Sequence, residues 1–541
     1  MIESPGVRLS DLFAGVEDRR LAGAADVAID SLAYRSDQAG PGCLFFCVPG
    51  FARDGHDFAA AAVARGAVAV CVERLLDLPV AQVVVPSVRA AMGPVAAAFY
   101  GHPSSKLVTV GITGTNGKTT SAFLSAHLLD RAGLPAGLLG TVERRIGGRT
   151  LPAGRTTPEA LDIQRDLAGM LAAGDKAAVM EVSSHALDLG RARGTRFRTV
   201  AFTNLTQDHL DYHKSLEDYF AAKTRLFLDA EFAPESTMAV INVDDPFGRR
   251  LAQQCAPERV LSLSTVPVVP DWGPADLQWS EYSMRAGGTR GTLILRGKAL
   301  AYARQSKRGG VARGGAVAAD PAGRAGASGA APAAAEARVE VFTRLVGAFN
   351  VANVLTALGI GLALGLDLEQ MLAAVADFGG VPGRMESVDA GQDFTVLVDY
   401  AHTPDSVANV LKTARGITEG KLIAVLGCGG DRDKTKRPLM GREAEKAADL
   451  VVITSDNPRT EDPSAIIADI VAGLESPADV TVQPDRRSAI LTALRAAAAG
   501  DVVMILGKGH ESGQEFATET VPFDDRQVAR EALGDLLAER R

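Results

Sequence analysis

Apolar positions in this chain fall into short, nearly unbroken runs set between longer stretches of helical spacing. CLFFCV from Cys43 and AVAVCV from Ala67 read as strands and the Ala-rich DFAAAAVARG between them as a helix, so residues 1–104 predict a small N-terminal α/β domain. Pro103-Ser104-Ser105 breaks the rhythm and marks its end. LVTVGIT then enters a Gly-rich turn and a helix opening near Lys118, and apolar runs recur at AAVMEV, TVAFTNL and MAVINV. Strands of this kind are buried on both faces, so residues 105–345 predict a central, helix-covered parallel sheet of the P-loop ATPase type. The helical FNVANVLTALGIGLAL opens a third unit, 346–541, whose strands FTVLVDY, LIAVLG, LVVITSD and DVVMILG alternate with helices, as in a Rossmann-like doubly wound sheet. The fold class expected is therefore α/β in three domains. One segment, Lys307 to Arg338, is nearly all Ala, Gly, Pro and Arg without a period. Such a composition cannot bury a core, and a disordered or loosely ordered surface insertion between two strands is expected.

Composition narrows the partners. With 541 residues, 47% hydrophobic and 23% charged, several cores are affordable, and a formal net charge of -8 argues against nucleic acid or an anionic membrane as the main partner. An anionic ligand must be met by local cations. The start MIESPGVRLSDLF lacks the features of a signal peptide, and no stretch reaches the roughly 18 uninterrupted apolar residues of a membrane helix. A cytoplasmic protein without membrane insertion is expected. Cys43, Cys47, Cys71, Cys255 and Cys428 are odd in number and lack CxxC spacing, so they read as buried thiols rather than as disulfides or a zinc site.

The chemistry begins at Gly111-Ile112-Thr113-Gly114-Thr115-Asn116-Gly117-Lys118-Thr119-Thr120, between a strand and a helix. Glycines there let backbone N–H groups wrap a phosphate at a helix N-terminus, Lys118 offsets β/γ-phosphate charge, and Thr119 can hold Mg²⁺. Ile112 stands where the generic loop pattern has its first glycine. ATP or GTP binding follows, with Gly114, Thr115, Asn116, Gly117, Lys118, Thr119 and Thr120 as the loop contacts.

Read with TTPE at Thr156, EVSSHAL at Glu181, TNLTQDHLDYH at Thr203, GAFNVANV at Gly347, PGRME at Pro382, DYAHTP at Asp399, GCGGDRD at Gly427, DNPR at Asp456 and GKGHE at Gly507, the chain resembles the Mur ligases and, more remotely, the folylpolyglutamate synthases. The last three motifs resemble the diaminopimelate-adding branch. The resemblance implies ATP-dependent ligation of meso-diaminopimelate to the D-glutamate of UDP-N-acetylmuramoyl-L-alanyl-D-glutamate through an acyl phosphate, with Mg²⁺, by a monomer. It further implies a catalytic and metal set of Lys118, Thr119, Glu181, His209 and Lys223. Read alone, Lys223 in YFAAKTRLF is a solvated helix lysine; the resemblance makes it a carbamylated lysine, whose charge is inverted. Asn204 would orient phosphate or metal, Asn350 and Asn353 would lie near adenine, and Arg384 and Asp399 near ribose or phosphates. His402 and His510 would support the closing interface. Ser36, Thr156, Thr157, Ser183 and Arg191 would hold the UDP-muramoyl dipeptide. The sequence departs from the family here, with Arg155 in place of Asn, Leu189 in place of Gln, and Arg35-Ser36-Asp37 where the uridine signature reads Asp-Ser-Arg. Arg432, Asp456, Asn457, Pro458, Arg459, Gly507 and Glu511 would hold diaminopimelate. Arg459 is the candidate for its distal carboxylate, since a guanidinium fork matches a carboxylate, and Glu511 for its distal ammonium. A lysine-adding ligase, a folylpolyglutamate synthase and a nucleotide-binding scaffold protein stay open as alternatives, separable by amino-acid and folate assays.

Overall fold

The apolar runs become the interior strands of three sheets in a computed structural model, which describes residues 6–23, 26–50, 53–206, 208, 212–285, 287–306 and 336–539. CLFFCV and AVAVCV supply Cys43–Phe46 and Ala67–Val72, paired in parallel. Their sheet has the order Arg20–Ala22, Ala81–Val84, Ala67–Val72, Cys43–Phe46, Ser31–Ala33, with Arg20–Ala22 antiparallel to its neighbour. The core under helix Val88–Phe99 continues into Ala160 and Leu161 of the central unit. Tyr34 reinforces that junction by donating to Asp162 at 2.7 Å. All five cysteines are free and buried, as expected.

The central sheet has eleven strands, in the order Arg149–Pro152, Glu143–Ile146, Ala136–Leu139, Ala177–Glu181, Val108–Thr113, Thr199–Phe202, Met238–Asn242, Val260–Ser264, Leu277–Arg285, Gly288–Leu295, Ala337–Thr343. Its middle is parallel, as the continuous apolar runs require, but both margins are antiparallel. There the burial pattern of Leu277–Arg285 turns to alternation, the mark of a strand with one wet face. The low-complexity segment follows helix Gly297–Ser306 rather than a strand, and residues 336–338 already belong to the edge of Ala337–Thr343. Residues 307–335 lie outside the described part.

FNVANVLTALGIGLAL forms helix Ala348–Ala363. Val351, Val354, Leu355 and Leu358 share one core with Val240 and Leu261 of the central sheet and Leu124 and Leu128 of helix Lys118–Arg131. A helix apolar on all sides must be enclosed on all sides, and the gap above the central sheet provides that; each fully buried Leu there contributes roughly 1.5–3 kcal/mol. Gly359 permits the approach, because a Cβ at that position would meet Val240 Cγ1 at 2.8 Å. Helix Leu368–Asp377 joins the same core, which extends to Val381. Residues 348–381 thus share a core with the central sheet.

The third sheet has the order Glu386–Ser387, Thr395–Asp399, Val502–Leu506, Leu422–Cys428, Leu450–Ser455, Thr481–Val482, parallel apart from Glu386–Ser387. Helices Pro404–Arg415, Lys436–Ala447 and Pro463–Val471 cover one face, and Arg486–Ala496 and Asp525–Glu539 the other. This is the doubly wound arrangement expected. Such sheets present ligand-binding loops at the C-terminal ends of their strands.

Candidate active site

Strand Val108–Thr113 ends at Gly114 and the chain turns through Gly117 into helix Lys118–Arg131. Both glycines have positive φ, +150° and +83°. A Cβ on Gly114 would collide with Thr203 and one on Gly117 with Asn353, so the loop closes only without side chains there. Lys118 curls back over it, its Nζ donating to Gly114 O at 3.0 Å and Thr115 O at 2.9 Å. Lys223 reaches the same Gly114 carbonyl from the opposite side at 2.8 Å, its Nζ 4.4 Å from the Tyr219 ring centroid. Ser215 aims this second lysine by capping helix Leu216–Leu228, its Oγ accepting from Asp218 N at 3.1 Å. The reading of Lys223 as a solvated lysine fails, since it is 1% exposed. Burial, and then the neighbouring Lys118 ammonium, hold its pKa well below the ordinary lysine value. Burial also lowers that of Lys118, against the pull of Glu181 and Asp208.

Glu181 ends strand Ala177–Glu181, beside the loop strand, and is fully buried. Thr119 Oγ1 donates to its Oε2 at 2.9 Å, and Thr141 donates to it from N at 2.8 Å and from Oγ1 at 3.1 Å. Lys118, Thr119, Glu181 and Lys223 thus lie at one loop, whereas His209 lies outside the described residues. Other expected loop contacts face inward. Thr115 Oγ1 receives Thr206 N at 3.0 Å, and Asn204 braces Asn116 through both its amide atoms, at 2.9 and 3.2 Å. Thr120 is buried. Asn350 and Asn353 bond to each other at 3.0 Å, and Asn353 Oδ1 accepts from Ser121 at 3.4 Å, so this pair props the loop helix.

The third unit meets the loop through Asp405, which accepts from Asn116 Nδ2 at 3.4 Å. Asp399, buried at its strand end, accepts from Met385 N at 2.7 Å and Ala401 N at 2.8 Å, and burial raises its pKa. Arg384 lies 4.6 Å over the Tyr400 ring, with its Nε buried and unpartnered. Beside it opens a cavity of about 630 Å³ lined by Arg344, Asn350, Val381, Arg384 and Leu397. His402 and His510 flank this junction, and His510 is pushed down to about 4, chiefly by burial and then by Arg384.

The acceptor candidates adjoin Glu181. Thr156 Oγ1 lies 3.0 Å from Thr141 Oγ1, and Thr157 Oγ1 donates to Glu181 O at 2.9 Å while accepting from Ser183 N at 3.0 Å. Next to them three guanidiniums surround the Glu159 carboxylate, Arg155 at 2.9 Å, Arg191 at 3.1 Å and Arg89 at 3.5 Å. Three cations on one anion leave a local excess of positive charge. Ser36 stands apart from this group, in the turn Ser36–Gln38 that follows Tyr34.

The amino-acid candidates gather at the ends of Leu450–Ser455 and Val502–Leu506. Asp456 and Asn457 are buried, Asn457 Nδ2 donates to Glu511 Oε2 at 2.7 Å, and Gly507 turns with φ +115°. Pro458 packs its carbonyl on Gly430. Arg459 adopts φ +52°, a strained state for a side-chain-bearing residue. Its fork is partly occupied, with Nε on Glu515 Oε2 at 2.6 Å and one terminal nitrogen on Gly430 O at 2.8 Å. Arg432 is exposed and bonds its neighbour's Asp431 carbonyl at 2.9 Å. Sequence reasoning missed Thr141, Glu159, Arg89, Asp208, Lys436, Lys508 and Glu515. For Thr141 a signal existed, since it follows the C-terminal end of Ala136–Leu139.

This geometry agrees with comparisons to known proteins. Profiles described as "Mur ligase family, catalytic domain", "Mur ligase middle domain" and "Mur ligase, glutamate ligase domain" match residues 28–100, 112–304 and 383–509. The chain is 46% identical over 514 residues, 94% of each chain, to the UDP-N-acetylmuramoyl-L-alanyl-D-glutamate–2,6-diaminopimelate ligase of Thermosynechococcus vestitus. It is 45% identical over 538 residues, 98% of each chain, to the protein of the same name from Gloeobacter violaceus. A solved structure of a ligase with that name superposes with a TM-score of 0.65 at 31% identity, covering 98% of this chain and 100% of the other. With identity this high over nearly its whole length, and with the phosphate loop, Glu181 and Lys223 converging as they do, the chain belongs to the Mur ligase family.

Proposed function

We propose that this chain joins meso-diaminopimelate to the D-glutamate carboxylate of UDP-N-acetylmuramoyl-L-alanyl-D-glutamate, consuming ATP. The convergence of Lys118 and Lys223 on the Gly114 carbonyl, with the Thr119–Glu181 pair at the start of the same loop helix and next to the Thr156–Thr157 acceptor group, carries this reading. Amide formation needs an activated carboxyl. The acceptor carboxylate attacks the γ-phosphorus and ADP leaves; the amine then attacks the acyl phosphate, phosphate leaves, and the nitrogen loses a proton. Lys118 opposes the phosphate charge that must meet the carboxylate. The buried hard oxygens of Thr119 and Glu181, 2.9 Å apart, fit Mg²⁺, and Lys223 as a carbamate would add a further oxygen ligand; His209, the other expected ligand, lies outside the described residues. Magnesium bound there supplies charge neutralisation at the phosphoryl oxygens. Lys223, whose pKa is lowered by burial and then by Lys118, can in its neutral form add carbon dioxide and release a proton to become the carboxylate-like ligand.

Thr156, Thr157, Ser183 and Arg191 hold the acceptor, and Ser36 of the first unit its nucleotide end. Asn350 and Arg384 line the cavity of about 630 Å³ that we take as the nucleoside site of ATP, Asn353 bonds to Asn350 and Asp399 accepts from Met385 of its lining. Closing the central unit on the third excludes water from the acyl phosphate. No described helix is long and apolar enough to cross a membrane, and both nucleotide substrates place the reaction in the cytoplasm. The test is phosphate release that requires acceptor and amino acid together, with the tripeptide product weighed by mass spectrometry. We expect meso-diaminopimelate to be preferred over L-lysine at least a hundredfold in kcat/KM, about 2.7 kcal/mol. Equal use of lysine, or loss of none of this preference in Arg459→Ala, refutes the assignment of the distal carboxylate to Arg459.

A further inference from the structure

Behind the amino-acid pocket lies a lysine that the assignments above leave unused. Lys508 follows Gly507 at the end of strand Val502–Leu506, and its side chain is 0% exposed. An ammonium offers three N–H donors. All three are met, by Gly513 O at 2.6 Å, Asn457 Oδ1 at 2.8 Å and Glu511 Oε2 at 3.1 Å. Asp456 Oδ1 stands 3.5 Å away and has no hydrogen-bond partner of its own. Two carboxylates, Asp456 and Glu511, thus face one ammonium, while Arg459 and Glu515 cancel each other. The group retains one uncompensated negative charge and suits a cation.

The lysine also decides which atoms are offered. Asn457 Oδ1 is taken by Lys508 and by Glu515 N at 3.0 Å, so its Nδ2 must turn to Glu511, at 2.7 Å. Glu511 then spends Oε2 on Asn457 and Lys508. Its Oε1 has no hydrogen bond among the described residues, in a side chain 29% exposed.

We propose that Lys508 is a positioning residue for amino-acid selection, locking Asn457 and Glu511 so that Glu511 Oε1 is presented to the distal ammonium of the incoming diamino acid. Lys508 acts through Glu511 and does not touch substrate. The inference rests on the ligase reading above. Three amino acids separate the two ends of the pocket: meso-diaminopimelate carries both a distal ammonium and a distal carboxylate, L-lysine the ammonium alone, and 2-aminopimelate the carboxylate alone.

The experiment measures kcat/KM for all three, and KM for ATP, in the wild type, Lys508→Met, Glu511→Gln and the double variant. The wild type should favour meso-diaminopimelate over 2-aminopimelate. Lys508→Met should shrink that ratio at least tenfold, leave the preference over L-lysine in place, and move the KM for ATP less than twofold. Adding Glu511→Gln should lower the ratio no further, because both changes remove one interaction. If Lys508→Met does not fold, the isosteric Asn457→Asp serves instead, since it keeps the acceptor for Lys508, removes the donor to Glu511, and must shrink the same ratio. An unchanged ratio in a folded variant, additive losses in the double variant, a parallel rise in every KM, or failure of both variants to fold overturns the inference. Absence of turnover with meso-diaminopimelate in the wild type refutes the ligase reading itself and takes this inference with it, so the two failures are distinguishable.

Discussion

Lys223→Ala probes the carbamate most directly. The change removes three methylenes and a nitrogen from a side chain that is 1% exposed. At about 0.8 kcal/mol per buried methylene, roughly 2.4 kcal/mol of packing is lost. Against this stands relief of an amine whose charged form is disfavoured by burial and by Lys118, two groups that share the Gly114 carbonyl at 2.8 and 3.0 Å. The two effects oppose each other, so the variant should fold, with its melting temperature lowered by a few degrees. Activity should fall on the order of 10²–10³-fold, the usual cost of losing one fixed group that stabilises transition-state charge. The vacated space beside Tyr219 should admit formate or acetate, and either acid should restore at least tenfold of the loss. In the wild type, removing carbon dioxide from the buffer should lower activity and bicarbonate should return it, because the lowered pKa raises the fraction of free amine able to react. The assay is amino-acid-dependent phosphate release with and without added carboxylate. Full activity in Lys223→Ala, or wild-type activity indifferent to bicarbonate, would show that this lysine takes no part as a carbamate.

Lys118→Ala should fold, since the side chain spans only its own loop, and lose at least 10³-fold in kcat; near-normal turnover would remove the phosphate-loop assignment. Arg155→Asn should raise the KM for the UDP-muramoyl dipeptide about tenfold, or roughly 1.4 kcal/mol, with the KM for ATP unchanged. Its pair with Glu159 at 2.9 Å is 59% exposed on the arginine side, so the melting temperature should barely move; a shift in melting temperature without one in KM would make the residue structural. His510 is pushed down to about 4 from an ordinary value of 6.5, so the unfolded chain binds the extra proton between those values, and stability should be full above about pH 6.5 and decline as pH falls toward 4. The decline is on the order of 3 kcal/mol at most, from about 1.4 kcal/mol per pH unit, and His510→Gln should flatten it in urea titrations; an unchanged slope would assign the acid sensitivity elsewhere.

What could be read from the sequence was local, and what could not was long-range. The phosphate loop was legible because its glycines, its lysine and its strand-to-helix setting occupy one decapeptide, and the structure places helix Lys118–Arg131 where that pattern starts it. The packing of Ala348–Ala363 was not legible, because periodicity reveals that it is apolar all round but not which layer encloses it; Val240 and Leu261, more than eighty residues earlier, do so. Lys223 is the intermediate case. Tyr219, Lys223 and Phe227 recur every four residues and all three are buried, so helical spacing alone puts the lysine on the inward stripe, a signal outweighed by the ordinary habit of lysines to face water. For the residues that hold functional groups in place no such signal exists. Glu159 draws in Arg89 from 70 positions away, Lys508 turns Asn457 from 51 positions away, and Glu515 occupies Arg459 across 56. Sequence patterns therefore nominate candidate groups, while the fold decides how those groups are charged and aimed. Arg459 shows the consequence. Read locally, it is an open fork for a carboxylate; with Glu515 already on its Nε, a substrate carboxylate must displace or share that contact, so selection of the amino acid depends on the competition as well as on the arginine itself.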